Sequence, residues 1–153
     1  MVDRLEKFLF NISEISKYWH KIAADEMGRY GLKGPSATYL TVIYRHKEGV
    51  TATQLCEICG KDKADVSRMM SEMEEKGLIK KEGANYRGVF KLTEEGKKAA
   101  EFVCERAKVV VGYAGKEIEG EKRIIFYEAL ESIASNLKRI SKEGVPEEEM
   151  KKE

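Results

Sequence analysis

Three groups of side chains have types and spacings that suggest chemistry. The first is Lys61, Lys63, Ala64, Ser67, Arg68 and Ser71. On a helix opened by Asp62, residues 63, 64, 67, 68 and 71 recur at helical spacing and share one face. Short polar side chains beside a long guanidinium are what base edges in a DNA major groove require. Asp65 either accepts from a cytosine amino group or closes a capping box with Asp62. The second group is Cys56, Cys59 and Cys104. A structural zinc site takes four ligands, yet no second Cys or His pair accompanies Cys56-Glu57-Ile58-Cys59, and the only histidines are His20 and His46. Buried structural thiols are therefore expected, with a thiol redox switch as the alternative.

The third group is aromatic: Trp19, His20, Tyr39 and Tyr44 fall on the first two helical segments. They either line an effector pocket where two regions meet or fill the core there. No Ser or Cys nucleophile has a base at a recognisable spacing. Gly28, Gly31 and Gly34 lie in a linker, not in a strand-to-helix phosphate loop. These patterns point to a binding protein without catalysis, metal or cofactor.

Composition narrows the class further. The chain has 153 residues, 42% apolar and 36% charged, with a formal net charge of +1. Charge well above the usual quarter suits exposed helices. Near neutrality removes any global basic signal, so nucleic-acid binding must arise from local arrangement. In residues 51–93 eight basic side chains face seven acidic ones, so affinity should be modest and strongly salt-dependent. No apolar run is long enough for a membrane span, and the N-terminus mixes Asp3, Arg4, Glu6 and Lys7 with its apolar residues; a cytoplasmic protein is expected.

The periodicity supplies the elements that position these groups. Leu5, Phe8, Ile12, Ile15, Trp19, Ile22 and Met27 predict one helix of about 25 residues, roughly 35–40 Å long. Pro35 or Ser36 starts a second helix ending near Glu48-Gly49. Thr51 opens a third through Cys59, Gly60 turns, and Asp62 caps a fourth through about Lys76, a recognition helix at 62–76. Two short extended runs around Gly83-Ala84-Asn85 predict a β-hairpin wing at 80–92. Thr93 caps a fifth helix that Gly112 and Gly115 should weaken, and a sixth follows Gly120 until Gly144-Val145-Pro146. The expected class is mostly α with a small β-hairpin wing: a winged helix-turn-helix at 35–93, dimerisation helices at 1–34 and 94–144, and a charged tail at 145–153. The outer helices carry more apolar surface than a small unit covers, which calls for a second copy of the chain.

The run Asp62-Lys63-Ala64-Asp65-Val66-Ser67-Arg68, the exit Met73-Glu74-Glu75-Lys76-Gly77-Leu78-Ile79 and the start Leu92-Thr93-Glu94-Glu95-Gly96 occur in the order found in the multiple-antibiotic-resistance regulator (MarR) family, which the chain resembles. The resemblance implies a dimeric transcriptional regulator, in most cases a repressor. Double-stranded DNA would be its partner, with the fourth helix in the major groove and the wing at the minor groove. It also implies a small aromatic or anionic effector. Where the family's wing carries Asp-x-Arg, this chain has Asn85-Tyr86-Arg87. Arg87 would then reach the minor groove or a phosphate, with an amide in place of the carboxylate that holds it. A protein-interaction or sensor module with weak DNA binding is the alternative.

Overall fold

The computed structural model describes residues 2–84 and 87–146. Six helices and three short strands follow in the order α1 (Val2–Gly28), α2 (Ser36–Arg45), β1 (Val50–Thr51), α3 (Ala52–Cys59), α4 (Lys63–Glu75), β2 (Ile79–Glu82), β3 (Val89–Leu92), α5 (Glu94–Ala114) and α6 (Gly120–Glu143). The mostly helical architecture with a small sheet is the one expected. The chain divides at Lys108/Val109 into two compact units.

The first unit holds a closed core. Leu40 from α2, Val50 from β1, Leu55 from α3, Met73 from α4 and Ala100 from α5 are each fully sealed from solvent. Each of these helices turns one apolar stripe inward, so the core is continuous from α2 to α5. Among its described residues α1 joins the core at its end, where Met27 is buried and Glu26 receives two hydrogen bonds from Arg106, at 2.8 and 3.0 Å. Tyr30 packs on Phe102 beside this pair, ring centroids 4.9 Å apart.

The sheet differs from the expected hairpin by one strand. β3 is central, with β2 on one side and β1 on the other, both antiparallel. Val50 pairs with Phe90, and Thr51 with Val89. A strand of two residues shows no alternation, which is why the periodicity did not reveal it. α2 also ends earlier than expected, at Arg45, because the chain turns through His46 to Gly49, with Gly49 N–H bonding His46 C=O at 2.9 Å.

The Leu92-Thr93-Glu94-Glu95-Gly96 element now has a physical meaning. Thr93 Oγ1 accepts from Gly96 N–H at 3.1 Å and donates to Gly77 C=O at 2.6 Å. A Cβ at Gly96 would lie 1.8 Å from Leu78 C=O, so only glycine lets α5 start this close to the end of α4.

In the second unit, α5 runs through Gly112 to Ala114, and Gly115 follows its end. Arg123 of α6 donates to Gly115 C=O and Ile118 C=O at 2.9 and 3.0 Å, which fixes the turn between the helices. No residue of α6 is buried.

Candidate nucleic-acid interface

The interface begins with two helix caps. Thr51 and Gln54 form a full capping box at the start of α3: Gln54 N–H donates to Thr51 Oγ1 at 3.2 Å and Thr51 N–H to Gln54 Oε1 at 2.9 Å. Gly60 ends α3 in the left-handed region, φ 61°, a conformation that costs a residue without Cβ little. Asp62 then caps α4, its Oδ1 accepting from Asp65 N–H at 2.8 Å. The expected reciprocal half is not made by the Asp65 side chain, which pairs with Arg68 one turn on.

Between these caps α4 is clamped. Val66, Met70 and Met73 are buried, so the opposite face must point outward. Lys63, Ala64, Ser67, Arg68 and Ser71 are all exposed there, and Lys61 is exposed in the preceding turn. Two tethers hold the far end of α4 to the loop after α1. Lys33 pairs with Glu72 at 2.9 Å, and Lys76 Nζ donates to Gly31 C=O at 2.8 Å. Sequence reading missed both, since they join residues 39 and 45 positions apart.

The wing contributes a second wall. In β2 and β3 the side chains alternate, and Lys81 opposes Phe90 on the face turned toward α4. Lys81 Nζ lies 5.8 Å from the Phe90 ring centroid, within cation–π range. Thr53, Lys63, Ser67, Ser71 and Lys81 line an open groove of about 410 Å3 floored by Val66, Met70 and Phe90, with Glu74 at its edge. Thr53 and Lys81 were not among the expected site residues; the period-2 placement of Lys81 two residues after buried Ile79 was the available signal. Arg87 is exposed in the loop between β2 and β3, and Asn85 lies outside the described residues.

Charge on the wing is divided between its faces. Lys80 and Lys91 pair across the strands on the side away from the groove, and both reach Glu82 at 2.8 Å. Hydrogen bonds from Lys80 and then Lys91 hold the Glu82 carboxyl at about 2. Glu82 and Glu72 are thus neutralised by lysines off the outer face of α4. The charged side chains lining the groove itself are Lys63, Lys81 and Glu74.

Residues 30–86, from the loop after α1 through α4 and β2 into the wing, match the MarR family. The likeness to the MarR family is carried by this winged-helix segment. No curated protein sequence matches the chain. Among solved structures it is similar to a MarR family transcriptional regulator from Listeria monocytogenes complexed with 26mer DNA, at 22% identity and TM-score 0.80, covering 90% of this chain and 95% of that one. A MarR transcriptional regulator from Methanosarcina mazei Go1 aligns at 20% identity and TM-score 0.80, covering 88% and 99%. The Staphylococcus aureus MepR–DNA complex aligns at 19% identity and TM-score 0.72, covering 86% and 95%. At these identities the likeness concerns the fold.

The fold does not gather the four aromatic candidates into one pocket. Tyr39 is core, at 3% exposure, because it shares the inward side of α2 with Ser36, Leu40 and Ile43; burial pushes its phenol up to about 12. Trp19 and His20 are exposed on α1, with His20 Nδ1 2.6 Å from Ser16 C=O. Tyr44 is exposed and donates to Glu101 at 3.4 Å. It lines an open cleft of about 570 Å3 whose other walls are mainly charged: His46, Lys47, Lys80, Glu82, Lys97 and Glu101.

The three cysteines are free and half-buried, and Cys56 and Cys59 pack against the core. Burial, with Cys56 beside it, pushes the Cys59 thiol up, which lowers the thiolate fraction that oxidation requires. Among the described residues no three His, Cys, Asp or Glu side chains gather to hold a metal ion, and no helix is long and apolar enough to cross a membrane.

Proposed function

We propose that this chain is a cytoplasmic, dimeric DNA-binding transcriptional regulator of the MarR type, acting as a repressor. The observation that carries this reading is the outer face of α4. Lys63, Ser67, Arg68 and Ser71 stand exposed on a helix whose other side is locked in the core, and Lys81 of the wing faces the same groove. A duplex fits such a face with the helix in the major groove and the wing beside it. That the Listeria and Staphylococcus proteins of this fold were crystallised with DNA supports the same use.

Dimerisation is supported by the outer helices. Leu9, Phe10 and Ile15 on α1 and Ile124, Ile125 and Leu137 on α6 are each more than half exposed, more apolar surface than a monomer usually leaves in water. Two copies joined through α1, α5 and α6 would present paired recognition helices to half-sites roughly 34–36 Å apart. A bound near-palindrome over a promoter would exclude polymerase. Release by a small aromatic or anionic effector completes the scheme, and the cationic cleft beside Tyr44 offers such a molecule more charge than Trp19, His20 or Tyr39 does.

Titrating the chain with mixed duplex DNA at low salt tests the reading directly, and absence of binding would leave the protein-interaction alternative. Arg68→Ala should weaken operator binding by about 1–3 kcal/mol if Arg68 meets a base. Arg87→Ala should weaken all sequences alike and lower the salt slope by about one. A wild-type slope would remove Arg87 from the contact.

A further inference from the structure

Asp65 and Arg68 stand one turn apart on the outward side of α4, and Arg68 Nη2 donates to Asp65 Oδ1. The pair is not needed to cap the helix, because Asp62 bonds the backbone N–H of Asp65 and not its carboxylate. Nor is it a core contact, since the Arg68 side chain is 77% exposed and that of Asp65 43%. An exposed pair of this kind adds little to folding, yet it sits among the residues that would meet DNA. We propose that Asp65 is a specificity-determining positioning residue: it holds Arg68 for a guanine edge and keeps it off the phosphates. The proposal rests on the DNA-binding reading above.

The argument is one of donors and charge. A guanidinium has five N–H donors. One engaged by Asp65 leaves four, and guanine O6 and N7 need two in parallel. An arginine with no partner is drawn to the phosphates, where the charge of a duplex is densest, and a phosphate contact carries no sequence information. Once paired, Arg68 can swing to a phosphate only by leaving the Asp65 carboxylate alone beside like charge. The pair therefore gives up affinity for DNA at large and gains discrimination at one base pair in each half-site.

The experiment is selection of bound duplexes from a random-sequence pool by the full chain, as wild type and as Asp65→Asn. The substitution keeps the size of the side chain and the N–H that Asp62 caps. Wild type should enrich a guanine at one position per half-site and prefer it by about tenfold or more over the other bases. Asp65→Asn should reduce that preference to twofold or less at that position alone, with affinity for mixed DNA equal or higher. Arg68→Ala should abolish the same preference, and adding Asp65→Asn to it should change nothing further, as expected of two residues acting as one unit. An unaltered preference in Asp65→Asn would overturn the proposal while leaving DNA binding intact. A uniform loss across all positions would also overturn it, showing a structural role. If wild type enriches no sequence, the DNA-binding reading falls and this inference with it.

Discussion

The winged helix and the C-terminal unit answer the same sequence signal in opposite ways. α4 and α6 both repeat apolar residues at helical spacing. In α4 that stripe is sealed, with Val66, Met70 and Met73 at 1%, 2% and 0% exposure. α6 is nearly twice as long, 24 residues against 13, and buries nothing; Ile124, Ile125 and Leu137 are 60%, 62% and 54% exposed. Amphipathic periodicity thus reports that a face must be covered, not what covers it. For α4 the cover lies within the chain. For α6 the proposed dimer supplies it.

The most forceful way to separate the two regions is to cut into the sealed one. Leu55→Ala or Met73→Ala removes a fully buried side chain and should cost about 2–5 kcal/mol of unfolding free energy. Urea titration should show that loss unchanged by protein concentration. A smaller, concentration-dependent effect is expected from Leu137→Ala. About half of that side chain is already in water, so each subunit forfeits only what the interface would have buried, about 1.5–3 kcal/mol per dimer. Sedimentation should show weaker self-association. A wild-type chain that stays monomeric at every concentration would break the comparison, since the α6 stripe would then have no cover of its own kind.

How much of this could be read beforehand follows the range of each interaction. The helix starts were readable, because Thr51, Asp62 and Thr93 bond N–H groups three residues on. The outward face of α4 was readable because burial of Val66 and Met70 dictates it. Strand β1 was not, since it exists only through pairing with Val89 and Phe90 about 40 positions later. The tethers from Lys33 and Lys76 to the other side of the same junction were hidden for that reason too. Tyr39 and Tyr44 show the limit within one helix. They lie five residues apart, and only the position of the core decides that one is sealed and the other exposed. Asp65 carried two readings, and neither involved Arg68, because a side chain with two acceptors and several neighbours is settled by geometry.

A finer probe stays inside the self-sufficient region. Thr51→Ala breaks the capping box at the start of α3 and should cost about 0.5–2 kcal/mol. The loss should again be independent of protein concentration. Thr51→Ser should restore most of it, since the hydroxyl does the capping.

The smallest effect marks where the self-sufficient region ends along α1. Most of the described part of that helix is exposed; Met27 enters the core, and Glu26 is held beside it by Arg106. Glu26 is 13% exposed, and the hydrogen bond from Arg106 holds its carboxyl below the ordinary value of 4.5. A depressed carboxyl stabilises the fold above its unfolded-state value, and the contribution disappears as pH falls through the folded-state value. Glu26→Gln should therefore lower stability at neutral pH, and the gap to wild type should close once the pH drops below that of the folded carboxyl. The effect is limited because Arg106 is 39% exposed and solvent screens the pair. A gap that persists unchanged in acid would mean that packing of Met27 and the Tyr30–Phe102 contact anchor α1, and that the ion pair merely accompanies them.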